Sequence, residues 1–185
     1  LEGNRDGVLD WNVCTDEVFF SARFKEMHGY SEAEFPNHID EWNKRLHPDD
    51  KERVNTDINN YFAHKTAQYE NEHRVLCKDG SYQWVLARGK VVAWTDDNKP
   101  LRMIGTHMNI TARKLAEEKL RLSAQVFNET KEAIIITDTQ SLIVEVNPAF
   151  SEITGYSYAE AVGKTPVFLV LASKALSFMR KCGKQ

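Results

Sequence analysis

The chain has no long apolar run. Its longest, residues 167–172, is far short of the roughly 20 apolar residues of a membrane-spanning helix. Cysteine is scarce: Cys14, Cys77 and Cys182 are odd in number, far apart and in no CxxC pair. That excludes a disulfide framework and a zinc site, and makes a reducing cytoplasm the expected compartment. Neither sign of charge dominates, with 24 Lys and Arg against 27 Asp and Glu, so nothing draws the chain to nucleic acid or an anionic membrane. A nucleophile elbow, a phosphate loop and a kinase signature are all missing. The acid pairs Asp49/Asp50, Asp96/Asp97 and Glu117/Glu118 are better explained as helix-start charge, turn residues and a solvated helix face than as acid–base catalysts. The chain is therefore not expected to be an enzyme in its own right. It begins at Leu1 rather than methionine and shows no signal peptide. It reads as starting inside a longer gene product, which leaves an upstream membrane anchor open.

What the chain does have is a repeat. Residues 24–34 (FKEMHGYSEAE) return ungapped, 126 positions later, as residues 150–160 (FSEITGYSYAE). That period is too long for a solenoid and suits two successive small domains. The first copy has room to be nearly complete; the second is a beginning without an end.

Residues 7–13 and 17–21 read as a β-hairpin, and 23–28 and 31–35 as short helices broken at Gly29. His47-Pro48-Asp49-Asp50 starts a longer helix, because Pro48 suits the first position and the aspartates face the positive end of the dipole. Val54, Ile58, Tyr61 and Phe62 mark one face of it, to about residue 65. Three strands follow, at 69–76, 81–93 and 101–109, joined by turns at Lys78-Asp79-Gly80 and Asp96 to Pro100. Sequential strands with short turns predict an α+β fold, an antiparallel sheet with helices on one face. Residues 111–130 are highly charged and lack Gly and Pro. Ala112, Leu115, Lys119, Leu122 and Val126 fit an a/d pattern, weak as a coiled coil but suited to a connecting helix. A second hairpin is expected at 133–138 and 142–146. The tail after Pro166 contains no acid; real divergence, a frameshift and a truncation all remain open for it.

Gly29-Tyr30-Ser31-x-x-Glu34, Leu46-His47-Pro48-Asp49-Asp50, residues 78–85 (KDGSYQWV) and residues 105–114 (GTHMNITARK), in this order and with the first repeated, resemble the PAS domain with its C-terminal PAC motif. The resemblance implies a PAS domain with PAC motif at 1–111, a linker helix at 112–130 and a truncated second PAS domain with an atypical tail at 131–185. It implies a five-stranded antiparallel sheet of order 2-1-5-4-3 with helices over one face. It also implies sensing, in which a ligand, cofactor or partner alters the core and the C-terminal helix passes the change to a downstream output domain. Asn109, Ile110, Thr111 and Arg113 would transmit the signal. The family usually has Asp-Ile-Thr at this point, and Asn109 cannot form the aspartate's ion pair, so a looser joint between sheet and helix is expected. The second copy resembles segments of bacterial receptors that end in cyclic-di-GMP domains, and of sensor histidine kinases. A cytoplasmic sensory module is the first reading. The alternative is a fragment of a diguanylate cyclase, phosphodiesterase or histidine kinase whose catalytic domain lies outside this chain.

Trp11, Phe19, Phe24, Tyr30, Trp42, Phe62 and Trp84 are expected to form core and to line any cavity. His64, near the end of the long helix, is the heme candidate that the resemblance offers. His28, His38, His73 and His107 lack metal-ligand spacing, His47 reads as structural, and no metal is expected. The Asn-Cys-Arg-Phe-Leu-Gln segment of covalent flavin photosensors is absent. The expected state carries neither heme nor flavin, with a small-molecule ligand left open. Arg74 and Arg88 are the cations placed to orient an anionic ligand, solvated charge being the plainer reading. On the strand through 82–87 both faces are partly apolar, so a homodimer through the outer sheet face and the linker helix is expected.

Overall fold

A computed structural model describes residues 6–167, so the tail after residue 167 lies outside the described residues. The chain divides into two compact units, Leu1–Ala116 and Glu117–Gln185. The first contains β1 (Gly7–Asn12), β2 (Val18–Phe20), α1 (Ala22–Met27), α2 (Ile39–Arg45), α3 (Pro48–Phe62), β3 (Tyr69–Leu76), β4 (Tyr82–Trp94) and β5 (Pro100–Asn109). The helix α4 (Thr111–Glu129) then begins. The sheet is antiparallel throughout, in the order β2-β1-β5-β4-β3, as the resemblance implied.

A period of two sorts the side chains. Tyr69, Asn71, His73 and Val75 are buried on β3, Val85, Ala87 and Val91 on β4, and Met103 and His107 on β5. Register places them on one face: His107 stands opposite Ala87, and Met103 opposite both Val91 and Trp11. A one-residue slip would turn this whole set toward water, so burial fixes the pairing. The helices complete the core, α1 with Phe24 and Met27, α2 with Trp42, and α3 with Val54 and Tyr61.

α2 goes beyond the sequence expectation. It has only Ile39 and Trp42 as large apolar residues, too few to set a period. Its termini did carry a cue, with Asp40 and Glu41 in the first turn and Lys44 and Arg45 in the last, each matched to the helix dipole. Arg45 then lies over the rings of Tyr30 and Phe35, at 4.7 and 4.4 Å.

The repeat proves to be one piece of turn chemistry used twice. Gly29 and Gly155 take left-handed φ values of 81° and 77°, which a side chain would strain. Ser31 with Glu34, and Ser157 with Glu160, then close reciprocal capping boxes, satisfying backbone donors at the next helical turn. In the second unit β6 (Ile135–Thr137) and β7 (Ile143–Val146) pair, and α5 (Pro148–Thr154) and α6 (Tyr158–Ala161) follow. Ile143, Val146, Phe150 and Ala161 form its core. The Asn147 side chain accepts from the backbone N–H groups of Ile134 and Phe150 and donates to the carbonyls of Phe127 and Glu132. Among the described residues no helix is long and apolar enough to cross a membrane.

Candidate functional site

The first unit's core falls into two parts. One is built on Phe20, Phe24, Phe35, Trp42 and Val54, the other on Tyr61, Tyr69, Ala87, Val91 and Met103, and Trp11 packs against both. A cavity of about 30 Å³ lies at their junction, with room for about two water molecules. Leu9, Phe20, Ile39, Ile58 and Met103 give it apolar walls. Gly105 lies opposite Gly89 across β4 and β5. A Cβ on Gly105 would come within 2.8 Å of the Arg88 carbonyl oxygen and 3.4 Å of Leu9 Cγ, so only glycine keeps this part of the wall open.

Trp11, Trp42, Tyr69 and His107 also line the cavity. Trp11 Nε1, Trp42 Nε1, Tyr69 Oη and His107 Nδ1 are each buried and make no hydrogen bond. Burying such groups without partners costs on the order of 1–3 kcal/mol apiece, so four on neighbouring core residues is a departure from ordinary packing, although the cavity's own surface is almost wholly apolar. Burial holds the Tyr69 hydroxyl pKa well above its usual range.

His107 joins the cavity to a cluster of imidazoles. Its ring centre lies 5.5 Å from that of His73, 6.4 Å from His28, 6.4 Å from Trp42 and 4.8 Å from Phe24. Neither nitrogen of His28 has a partner, nor does His73 Nε2. His73 Nδ1 lies 3.2 Å from Asn71 Oδ1, and the Asn71 amide donates to the Asp57 carboxylate. Burial pulls His28 and His73 down to about 4. His107 is held well below 6.5 by burial and by the neighbouring His73 and His28. All three rings are thus neutral at neutral pH. Among the described residues no group of three or more His, Cys, Asp or Glu is arranged to hold a metal ion.

Of the seven aromatics expected at the cavity, Trp11 and Trp42 line it. Phe24 is buried beside His107, Phe62 packs on Trp11 at 5.8 Å, and Tyr30 on Phe35 at 5.4 Å. Two expectations are corrected. Phe19 is 58% exposed, because the three-residue strand β2 turns Val18 and Phe20 inward. Trp84 lies on the sheet face opposite Val85 and Ala87, against the start of α4. The heme candidate His64 is also displaced: it is exposed, at φ 55° just after α3, and stacks on Trp94 at 4.4 Å. At about 30 Å³ the cavity is small for a heme or an isoalloxazine ring. Arg74 and Arg88 are taken up by Asp50 and Glu70, at 2.9 and 2.7 Å. Tyr69 and His107 were missed; the period-two burial of β3 and β5 was the signal available for them.

A second arrangement lies at the root of α4. The Trp84 N–H donates to Thr111 Oγ1 at 3.0 Å, and the Ile110 N–H to the Trp84 carbonyl at 2.9 Å. Asn109 Oδ1 accepts from the Thr111 N–H at 2.9 Å, while its amide donates to Gln83 Oε1 at 3.2 Å. Glu72 on β3 receives Arg113 at 2.5 Å and Lys114 at 2.6 Å, and these partners hold its carboxyl below the ordinary range. The joint therefore carries ion pairs although Asn109 cannot form one. Lys114 and Arg74 also lie over the Trp84 ring, at 5.1 and 5.4 Å.

Known proteins share this arrangement of elements. A sensory box histidine kinase/response regulator from Burkholderia thailandensis has a solved structure 34% identical in sequence, with a TM-score of 0.60 over 66% of this chain and 90% of that one. The hybrid signal transduction histidine kinase A of Dictyostelium discoideum is 30% identical over 156 residues, and the sensor protein FixL of Bradyrhizobium diazoefficiens 24% over 168. The matches take in 78% and 89% of this chain but span only 7% and 33% of those two proteins. Residues 17–107 match the PAS fold family, and residues 121–180 match it again. With that double match and the sheet order β2-β1-β5-β4-β3, the chain belongs to the PAS fold family.

Proposed function

We propose that the chain is a non-catalytic sensory and interaction module of a bacterial signal-transduction protein, acting in the cytoplasm. Its first unit would respond to a small ligand at the interior cavity and pass the change through α4 to a downstream output domain. The observation that carries this reading is the root of α4: Asn109, Ile110, Thr111 and Arg113 tie the helix to strands whose other face borders the cavity. The named relatives support a sensor histidine kinase as the parent, and a cyclic-di-GMP enzyme is the rival.

The module would act as a homodimer. Phe19, Ile104 and Met108 are exposed on the outer sheet face, at 58, 38 and 37%. Leu115, Leu122 and Val126 are exposed on α4. Exposed apolar area of this kind favours association. Light scattering across a concentration range tests it, with Leu122→Glu as the probe. A dimer weakened by the substitution is the expected result. A wild-type chain that stays monomeric at high micromolar concentration would refute the dimer; an unchanged dimer in the variant would remove α4 from the interface.

A further inference from the structure

We propose that the first unit carries a proton-sensitive opening: acid parts the end of α1 from the turn between β3 and β4, and His28, the outermost of three clustered imidazoles, takes up the first proton. This rests on the sensory reading above for its route out through α4 and gives that reading a signal. The cluster of side chains carries it. His28, His73 and His107 come from α1, β3 and β5 and are 0, 0 and 2% exposed. The ring of His107 lies between the other two, 5.5 Å from His73 and 6.4 Å from His28. A protonated imidazole donates from both nitrogens and so needs two acceptors. Neither nitrogen of His28 has a partner, nor do His73 Nε2 and His107 Nδ1. The closed core therefore offers no acceptors to a newly protonated ring, whereas water supplies them to any ring that it reaches.

The groups packed around the cluster do not favour charge. Arg45 on α2 acts on His28, and Asp50 and Arg53 on α3 act on His73. His107 faces His28, His73 and the rings of Phe24 and Trp42. Asp50, the acid among them, is held by Arg74 at 2.9 Å. An open groove runs between the end of α1 and the β3–β4 turn, bordered by Glu26, His28, Cys77, Lys78, Asp79 and Gln83. His28 is nevertheless fully buried, so water reaches its ring when the groove widens. Surface fastenings hold the groove closed. The Lys78 N–H donates to the His28 carbonyl at 3.0 Å, and Lys78 Nζ to Glu34 at 2.6 Å between exposed side chains. Such fastenings open locally at a fraction of the global stability. Gln83, on the β4 side of the groove, accepts from the Asn109 amide at the root of α4. Register also sets His73, Val85 and Asn109 in one row across β3, β4 and β5. The opening thus borders the attachment of α4.

Residue-resolved hydrogen exchange of the full chain at about pH 7.5 and about pH 5.5, corrected for intrinsic rates and repeated in low urea, separates this opening from global unfolding. Burial lowers His28 from 6.5 to about 4, so a form that wets its ring should be favoured about tenfold more at the lower pH. The amides of residues 28, 29 and 78 should exchange faster by about that factor in acid. Low urea should barely alter them, because a local opening exposes little surface. Exchange there that ignores pH, or that rises with urea as steeply as in the middle of β5, would overturn the proposal. So would an undiminished acid response in His28→Leu. In the wild-type chain, deuterium exchange at the imidazole C2 position should run faster at His28 than at His73 and His107, and equal rates would also overturn it. Acid-accelerated exchange at the groove with none in the first turn of α4 would refute the sensory reading and leave this opening standing.

Discussion

Lowering the pH from about 7.5 to about 5 should cost the first unit a large share of its stability, well before its carboxylates titrate. His28, His73 and His107 are 0, 0 and 2% exposed. The first two are lowered from 6.5 to about 4, and the third lies well below 6.5. A histidine lowered in this way is neutral in the folded state while its unfolded counterpart binds a proton. Its contribution is complete above 6.5 and is lost as the pH falls from 6.5 toward the folded value. At pH 5 the linkage amounts to about 2 kcal/mol for each of His28 and His73, or about 4 kcal/mol for the two, and His107 adds to the loss in the same direction. That is a large share of the stability of an ordinary domain, about 5–15 kcal/mol. Depressed carboxylates such as Asp50, at about 2, add their losses only at lower pH, so the window between 6.5 and 5 belongs to the histidines. Urea unfolding at a series of pH values measures the slope, and His28→Leu should make it distinctly shallower. A stability that is flat from pH 7.5 to 5, or a His28→Leu variant with the full wild-type slope, would refute the reasoning.

Two further outcomes are expected. Glu72→Gln removes both ion pairs at the root of α4; for partly exposed pairs the loss should be about 1 kcal/mol or less, with faster amide exchange confined to the first turn of α4. Exchange unchanged there would mean that Glu72 does not hold the helix. Protein purified without added cofactor should be colourless, and a Soret band or flavin absorbance near stoichiometric amounts would refute this.

Local chemistry was legible in the sequence wherever one residue type answers one backbone need. Gly29 breaks two short helices, and Pro48 with Asp49 and Asp50 opens α3; the capping boxes of Ser31 with Glu34 and Ser157 with Glu160 stood in the repeated motif but were not anticipated. The strand order came through resemblance, since spacing alone gives antiparallel neighbours but not which edge meets which. The histidine cluster was not legible. His28, His73 and His107 lie far apart in the chain and meet only through the register of β3, β4 and β5, which no local pattern encodes. Phe19 was misplaced because a strand of three residues offers too short an alternation to fix its parity. Trp84 shows the complementary limit: its parity with Tyr82 and Leu86 was readable, but parity does not say which face the helices cover.

Glu72 also gives α4 an unusual mechanical attachment. The helix is joined covalently to β5 through Ile110, yet its first charged residues, Arg113 and Lys114, are held by a side chain on β3, two strands away. Its first turn thus carries two fixings on either side of β4, a covalent one to β5 and an ionic one to β3. A slide of β3 against β5 would displace the two fixings by different amounts. On the sensory reading proposed above, a change of shape in the interior would reach α4 through these two fixings, at the start of its 19 residues.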